Sequence, residues 1–262
     1  MKWTYLMYLP AVVSALWALV ILVTKKRPTR AQILLAAAML LVAFAEVLAT
    51  VIFRGRTYSL FIYQYIFQLV AILAGPIYYI AVCALTEPRG SSLRQRHSLL
   101  LPLLFIIALT VAVSILGPRR YEHLCLIFRF DSLFPLEGDT IWNLVAILSY
   151  PVFWTLTAAI DLLLFFLASR KIRVFQSRFN SYYADTLGAP LLNSRPIHLL
   201  AWFFLPLAAA SIALAALRPP YAKFYLIGVT TLLAILQFLL GRYAYSLNHD
   251  AAYLARLVKI EN

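Results

Sequence analysis

Charged residues are scarce in this chain of 262 residues, and acidic residues are the scarcest of them. Asp, Glu, Lys and Arg make up 13% of the sequence, with 10 acidic against 23 basic residues, while 63% of the residues are hydrophobic. Soluble domains are nearer a quarter charged and half apolar. The mean hydropathy of +0.84 agrees with this contrast. A water-soluble globular protein is therefore excluded.

Cysteine and the common catalytic motifs are also lacking. The two cysteines, Cys83 and Cys125, give neither a disulfide framework nor the spacing of a metal site. The chain has no His-Glu-x-x-His string of the kind that zinc proteases require. Asp161 is the only aspartate expected within the membrane, so a pair of intramembrane catalytic aspartates is absent. We therefore expect no enzymatic activity, no cofactor and no metal.

The hydrophobic residues are concentrated in seven apolar segments. A helix needs roughly 20 apolar residues to cross the hydrocarbon core of a bilayer, and a spanning segment must be helical because no water satisfies its peptide groups. The predicted spans are 3–24, 32–53, 58–85, 98–117, 141–169, 198–217 and 224–246. The sequence therefore predicts an all-α polytopic membrane protein with seven transmembrane helices.

The basic residues predict how these helices are oriented. Fifteen of the 23 Lys and Arg residues fall on one side of the predicted spans and eight on the other, and cytoplasmic loops carry the excess. We therefore expect a bacterial inner-membrane (plasma-membrane) protein with its N-terminus outside and its C-terminus in the cytoplasm. The net charge of +13 is then an orientation signal, and no direct nucleic-acid contact is expected from this chain.

Ionisable residues at membrane depth are the first candidates for function. Asp161 in span five and Arg242 in span seven both fall in the inner half of the bilayer and are predicted to pair. Glu46 lies in the outer half of span two, where Gln64 and Gln68, which share one helix face, are expected to form a ligand-binding pocket with it. A static ion pair, and hydrogen bonds that serve helix assembly alone, remain open.

Two segments on the predicted cytoplasmic side are candidates for output. Residues 170–197 are expected to form a long loop that contacts anionic lipid headgroups or a cytoplasmic partner. Residues 247–262 are expected to form a juxtamembrane helix or linker, distinct from the transmembrane domain 1–246. Its amphipathic stripe consists of Leu247, Ala251, Leu254 and Val258. Packing on the bundle, formation of a homodimer through this helix and connection to an output domain all remain open.

Two stretches follow a pattern shared by a group of membrane regulators. Residues 73–88 read LAGPIYYIAVCALTEP and are followed by RQRHSLLLPLL at 94–104. With FNSYYADTLG at 179–188, they resemble the multi-span N-terminal membrane domain of bacterial AraC-type regulators. The resemblance implies a sensor with a cytoplasmic helix-turn-helix domain or, in related architectures, a histidine kinase. This sequence contains no such output segment, which implies either the membrane part of a longer regulator or a relative that acts through a partner.

These patterns together predict a sensory or signalling domain of the inner membrane. It would couple an external or membrane-borne signal to a cytoplasmic output domain or partner, because a ligand that binds two arrangements of the bundle with different affinity shifts the balance between them. A small-solute transporter or channel component and a non-enzymatic membrane assembly factor remain open. The sequence lacks the matched Gly and Pro breaks that are typical of transporters with unwound helices.

Overall fold

The computed structural model describes the greater part of the seven predicted spans. The described residues are 8–24, 28–54, 60–86, 100, 102–108, 111, 140–184, 194–216 and 227–243. Within these ranges the regular structure is helical and contains no strand. The all-α prediction is therefore confirmed.

Seven helices are named here in chain order. They are α1 (Leu9–Thr24), α2 (Arg30–Arg54), α3 (Leu60–Thr86), α4 (Thr140–Ala184), α5 (Ser194–Trp202), α6 (Phe204–Ala216) and α7 (Ile227–Tyr243). A further helical stretch covers residues 102–108, within the predicted fourth span.

Four segments of these helices are long and apolar enough to cross a membrane. They are Arg30–Val51, Ile66–Thr86, Val152–Ser177 and His198–Ala215. The apolar parts of α1 and α7, Leu9–Val23 and Ile227–Tyr243, are shorter. The structure thus supports a membrane protein with four candidate spans, while the count of seven stays a prediction.

The distribution of side chains between surface and interior agrees with a lipid environment. Val23 and Phe166 are 77% and 64% exposed, whereas Asp161 and Gln237 are 4% and 0% exposed. Soluble proteins show the opposite tendency, with polar residues outside. Polar groups turned toward the bundle interior are expected where the surrounding solvent is hydrocarbon.

The α4 helix overturns one prediction, because residues 170–184 are helical and not part of a loop. The helix has 45 residues, or roughly 68 Å at 1.5 Å per residue, which is more than twice the thickness of a hydrocarbon core of about 30 Å. The segment after residue 169 contains neither Gly nor Pro, Ile172 is fully buried, and Phe175 packs against the core. Residues 185–193 of the predicted loop lie outside the described ranges.

The start of α2 is fixed by a reciprocal capping arrangement. The backbone amide of Gln32 donates to Thr29 Oγ1 at 3.3 Å, and the backbone amide of Thr29 donates to Gln32 Oε1 at 2.9 Å. This is the Thr-x-x-Gln form of the capping box, which satisfies amides that have no partner within the helix. It sets where the helix that carries Glu46 begins.

A proline explains the break in the predicted sixth span. α5 ends at Trp202 and α6 begins at Phe204, with a turn at Phe203. Pro206 has no amide hydrogen to donate to the carbonyl of Trp202, four residues earlier, and its ring crowds that carbonyl. The amide of Phe203 still donates to the carbonyl oxygen of Leu199 at 3.2 Å, so the chain remains close to helical through the break.

Aromatic contacts join α3 to this break and α7 to α1. The ring centroid of Tyr78 on α3 lies 4.3 Å from that of Phe203 in a stacked pair and 5.2 Å from that of Phe204 in an edge-on pair. Trp17 on α1 meets Phe238 on α7 edge-on, with centroids 5.6 Å apart. Such pairs contribute about 0.5–1.5 kcal/mol beyond the area they bury.

The helices α3 and α4 lie side by side and run in the same direction. Phe67 on α3 contacts Trp154 on α4, with ring centroids 5.2 Å apart. Further along both helices, Gly75 on α3 lies against Asp161 and Leu164 on α4. Because the contacts follow the same order along the two helices, the packing is parallel. The largest helix contacts besides these are α2 with α3, α4 with α6 and α1 with α2.

Candidate functional site

A cavity of about 70 Å³ lies inside the bundle, where five helices meet. Its volume is enough for roughly five water-sized groups. It is lined by Val42, Ala45, Glu46 and Ala49 of α2; Phe67, Ala71 and Ala74 of α3; Trp154 and Asp161 of α4; Leu207, Ala210, Ser211 and Leu214 of α6; and Val229, Thr230 and Leu233 of α7.

Two carboxyl side chains, Glu46 and Asp161, lie on the wall of this cavity. They are the only acidic residues within the described ranges, and no Lys, Arg or His is among the described residues that line the cavity. Any charge that the described part of the wall carries is therefore negative, which favours a cation over an anion.

Asp161 is held where α4 meets the Gly75–Pro76 pair of α3. An ideal Cβ placed on Gly75 would overlap Asp161 Oδ1, would lie 3.6 Å from Asp161 Cγ and would lie 3.4 Å from Leu164 Cδ1. Glycine leaves room for the carboxyl in its present position, and a larger residue here would require the carboxyl to shift. Pro76 lies inside α3 and removes the amide that would bond the carbonyl of Ile72. The carboxyl therefore approaches α3 beside a local gap in its hydrogen bonding.

The carboxyl of Asp161 is buried but has no bonding partner within the part of the chain that the structure describes. The side chain is 4% exposed, and neither a hydrogen bond nor a charged neighbour acts on it there. An unpaired polar group in an apolar interior is costly. The side chain also lines the cavity, so a solute there can reach it.

Aromatic and small side chains give the cavity its shape. Phe67 and Trp154 form a tilted ring pair on its wall. Ala45, Ala71 and Ala210 face the cavity from three helices, and their short side chains leave the space that larger residues would fill.

Two hydroxyl groups complete the polar part of the wall. Thr230 is 4% exposed and donates its hydroxyl to the carbonyl oxygen of Ile227 at 3.1 Å, which leaves its oxygen able to accept a hydrogen bond. Ser211 is also 4% exposed, with no hydrogen bond to another described residue. Both hydroxyl groups can therefore form a hydrogen bond with a solute in the cavity.

Of the three residues in the predicted pocket, Glu46, Gln64 and Gln68, the structure describes the side chains of two. Glu46 faces the cavity, and the hydroxyl of Thr50 on the same helix donates to its backbone carbonyl oxygen at 2.8 Å. Gln68 is 1% exposed but is not among the residues that line the cavity, where its neighbour Phe67 lies instead. Gln64 belongs to α3, and its side chain lies outside the described part. A shared ligand site for these three residues stays a prediction.

Asp161 and Arg242, which are predicted to pair, both lie within the described residues, and no ion pair joins them there. Arg242 is exposed on α7, whereas Asp161 is buried against α3. The pairing stays a prediction. The four residues of the predicted output helix, Leu247, Ala251, Leu254 and Val258, lie outside the described ranges.

The sequence did not predict that Glu46 and Asp161 share one cavity. It also did not predict that Trp154, Ser211 and Thr230 line this cavity. One signal was present in the sequence. The cavity-facing positions of α2 are 42, 45, 46 and 49, which is the spacing of one helix face. Small alanines at two of these positions, 45 and 49, on the same face as the acidic residue indicate a space beside a carboxyl.

Comparisons with protein-family models, with curated proteins and with solved structures found no match to this chain.

Proposed function

We propose that this chain is a sensory or signalling domain of the bacterial inner membrane and that its acidic cavity receives the signal. The observation that carries the proposal is the position of Asp161, which lines the cavity and also abuts Gly75 of α3. A solute that satisfies this buried carboxyl changes the contact between α3 and α4. A ligand with unequal affinity for two such arrangements shifts the population between them.

The proposed topology has seven spans, with the N-terminus outside and the C-terminus in the cytoplasm. Parallel packing of α3 and α4 supports it, because two parallel spans require an odd number of crossings between them, and a single predicted span over 98–117 meets this requirement. Arg170, Lys171 and Arg173 lie near the C-terminal end of the candidate span Val152–Ser177, and a basic end of this kind suits the cytoplasmic side.

Residues 247–258 are the proposed route to the cytoplasmic output. They follow α7 in the sequence, and α7 lines the cavity through Val229, Thr230 and Leu233. The resemblance of residues 73–88 and 179–188 to AraC-type regulators supports a DNA-binding output domain or partner, with a kinase as the related alternative.

Deletion of residues 247–262 in the native host tests this function. We expect the truncated chain to accumulate in the membrane while the host transcript profile becomes that of a strain lacking the whole chain. A truncated chain that reproduces the full-length profile contradicts the signalling role.

A small-solute transporter is the second candidate, and the same cavity favours it because transport sites lie near the middle of the bundle. Flux measurements in proteoliposomes separate the two functions. Uptake of a cavity ligand that exceeds leakage through protein-free vesicles supports a transporter. Binding without uptake supports the sensor.

A further inference from the structure

We propose that the cavity binds a small organic ammonium ion, with its nitrogen at the carboxylate of Asp161 and its apolar body against Phe67 and Trp154. This inference rests on the proposed function, since it names the class of ligand that the sensory cavity receives. It is carried by the charge, the lining and the size of the cavity together.

The charge of the wall selects a cation. Asp161 and Glu46 bring two carboxyl groups to a site without a basic residue among its described lining. When both groups are ionised, the two carboxylates lose their hydration and repel each other. A cation in the cavity offsets both effects, whereas a neutral solute offsets neither.

The unpaired carboxyl shows where the cation binds. Asp161 is 4% exposed and has no hydrogen bond or ion pair to another described residue. The oxygen of Ser211, also 4% exposed and on the same wall, supplies a further acceptor. An ammonium group has up to three N–H donors, which match these oxygens.

The rest of the lining selects an organic cation over a metal ion. Most of the wall consists of alkyl and aromatic side chains, and Phe67 and Trp154 lie with ring centroids 5.2 Å apart. Apolar and aromatic walls favour the apolar body of an organic cation, because burial of that body removes apolar surface from water. Within the described ranges no group of three or more His, Cys, Asp or Glu residues can hold a metal, and oxygen-ligated metals need about six ligands.

The volume limits the length of the ligand. A cavity of about 70 Å³ accepts roughly five water-sized groups. Propylammonium has four non-hydrogen atoms and fits this limit. Propanol and propionate have closely similar size but are neutral and negatively charged, so the three probes separate charge from shape.

Calorimetric titration of the full chain in nanodiscs of neutral phosphatidylcholine tests the proposal. We expect saturable binding of propylammonium and none of propanol or propionate. Asp161→Asn should weaken binding by at least about tenfold, since it removes the charge from the hydrogen bond to the ammonium group. Glu46→Gln should weaken it less, because Glu46 is only half-buried.

Two alanines on α6 provide a matched pair of variants that leave every carboxyl in place. Ala210 lines the cavity, whereas its half-buried neighbour Ala209 does not. Ala210→Leu fills the cavity and should abolish binding, while Ala209→Leu should preserve it. This pair keeps the test decisive if Asp161→Asn fails to fold.

The remaining outcomes overturn the inference. They are equal binding of propanol, binding unchanged by Ala210→Leu, and proton uptake without saturable binding of the amine. Failure of the proposed function is distinguishable, because propylammonium would then bind while the α3–α4 contact stayed unchanged.

Discussion

Gly75 on α3 and Asp161 on α4 approach so closely that a Cβ on the glycine would overlap the carboxylate oxygen Oδ1. The same carboxyl lies on the wall of the cavity that also holds Glu46. The carboxyl of Asp161 is thus part of the contact between α3 and α4 and part of the cavity wall. Any change that moves the carboxyl alters both the cavity and the packing of the two helices.

Gly75→Ala should reduce propylammonium affinity with little effect on stability. The atom that the new Cβ overlaps is the end of a side chain that can rotate, and Asp161 Cγ and Leu164 Cδ1 remain at 3.6 and 3.4 Å. We expect the free energy of unfolding to change by less than about 1 kcal/mol, because replacing glycine also favours the helix. Paired calorimetric and thermal-unfolding measurements check this, and unchanged affinity with a large loss of stability would contradict it.

Gly241→Ala should destabilise the bundle. A Cβ at this position would overlap Cγ and Cδ2 of Trp17 and lie 2.7 Å from its Cβ, and atoms so near the α1 backbone cannot simply rotate away. Overpacking of this kind costs about 1–3 kcal/mol. Gly228→Ala is the matched control, since its Cβ meets nothing within 4 Å. Thermal unfolding should show a lower midpoint for Gly241→Ala alone, and equal midpoints for the two variants would refute the assigned contact.

The orientation of α4 can be measured by labelling with a membrane-impermeant maleimide. Arg170 is exposed and lies near the C-terminal end of the candidate span Val152–Ser177. In a Cys125→Ser background, Arg170→Cys should react only after spheroplasts are permeabilised, because the basic end is predicted to be cytoplasmic. The native Cys125 of the unmodified chain should react in intact spheroplasts. Labelling of Arg170→Cys in intact spheroplasts would reverse the proposed topology.

The sequence predicts similar depths for the two acids, but it did not predict their shared cavity. Glu46 lies eight residues before the end of α2 at Arg54, and Asp161 lies nine before Arg170. At 1.5 Å per residue, these spacings predict a position about 12–14 Å from opposite faces of a core about 30 Å thick. A depth close to mid-membrane stays a prediction for both residues. Which helices adjoin depends on side-chain packing between segments distant in the chain, which periodicity does not encode.

Helix type and approximate position followed from the apolar segments, because hydrocarbon allows few alternatives to a helix. The end of α4 could not be predicted in this way, because the basic residues 170–173 indicate the membrane surface but do not end a helix. The helix continues there because Ile172 and Phe175 keep an apolar face against the bundle. The break at Phe203 reflects Pro206, whose effect depends on how neighbouring helices tolerate the freed carbonyl.

Hydrogen–deuterium exchange of the full chain in neutral-lipid nanodiscs is the most direct measurement of the central claim, that the occupied cavity alters the contact between α3 and α4. Saturating propylammonium should slow amide exchange in peptides that contain Gly75 and in those that contain Asp161. Ala210→Leu should show no such response, and Ala209→Leu should respond like the unmodified chain. Binding of propylammonium with unchanged exchange in both helices would contradict the account.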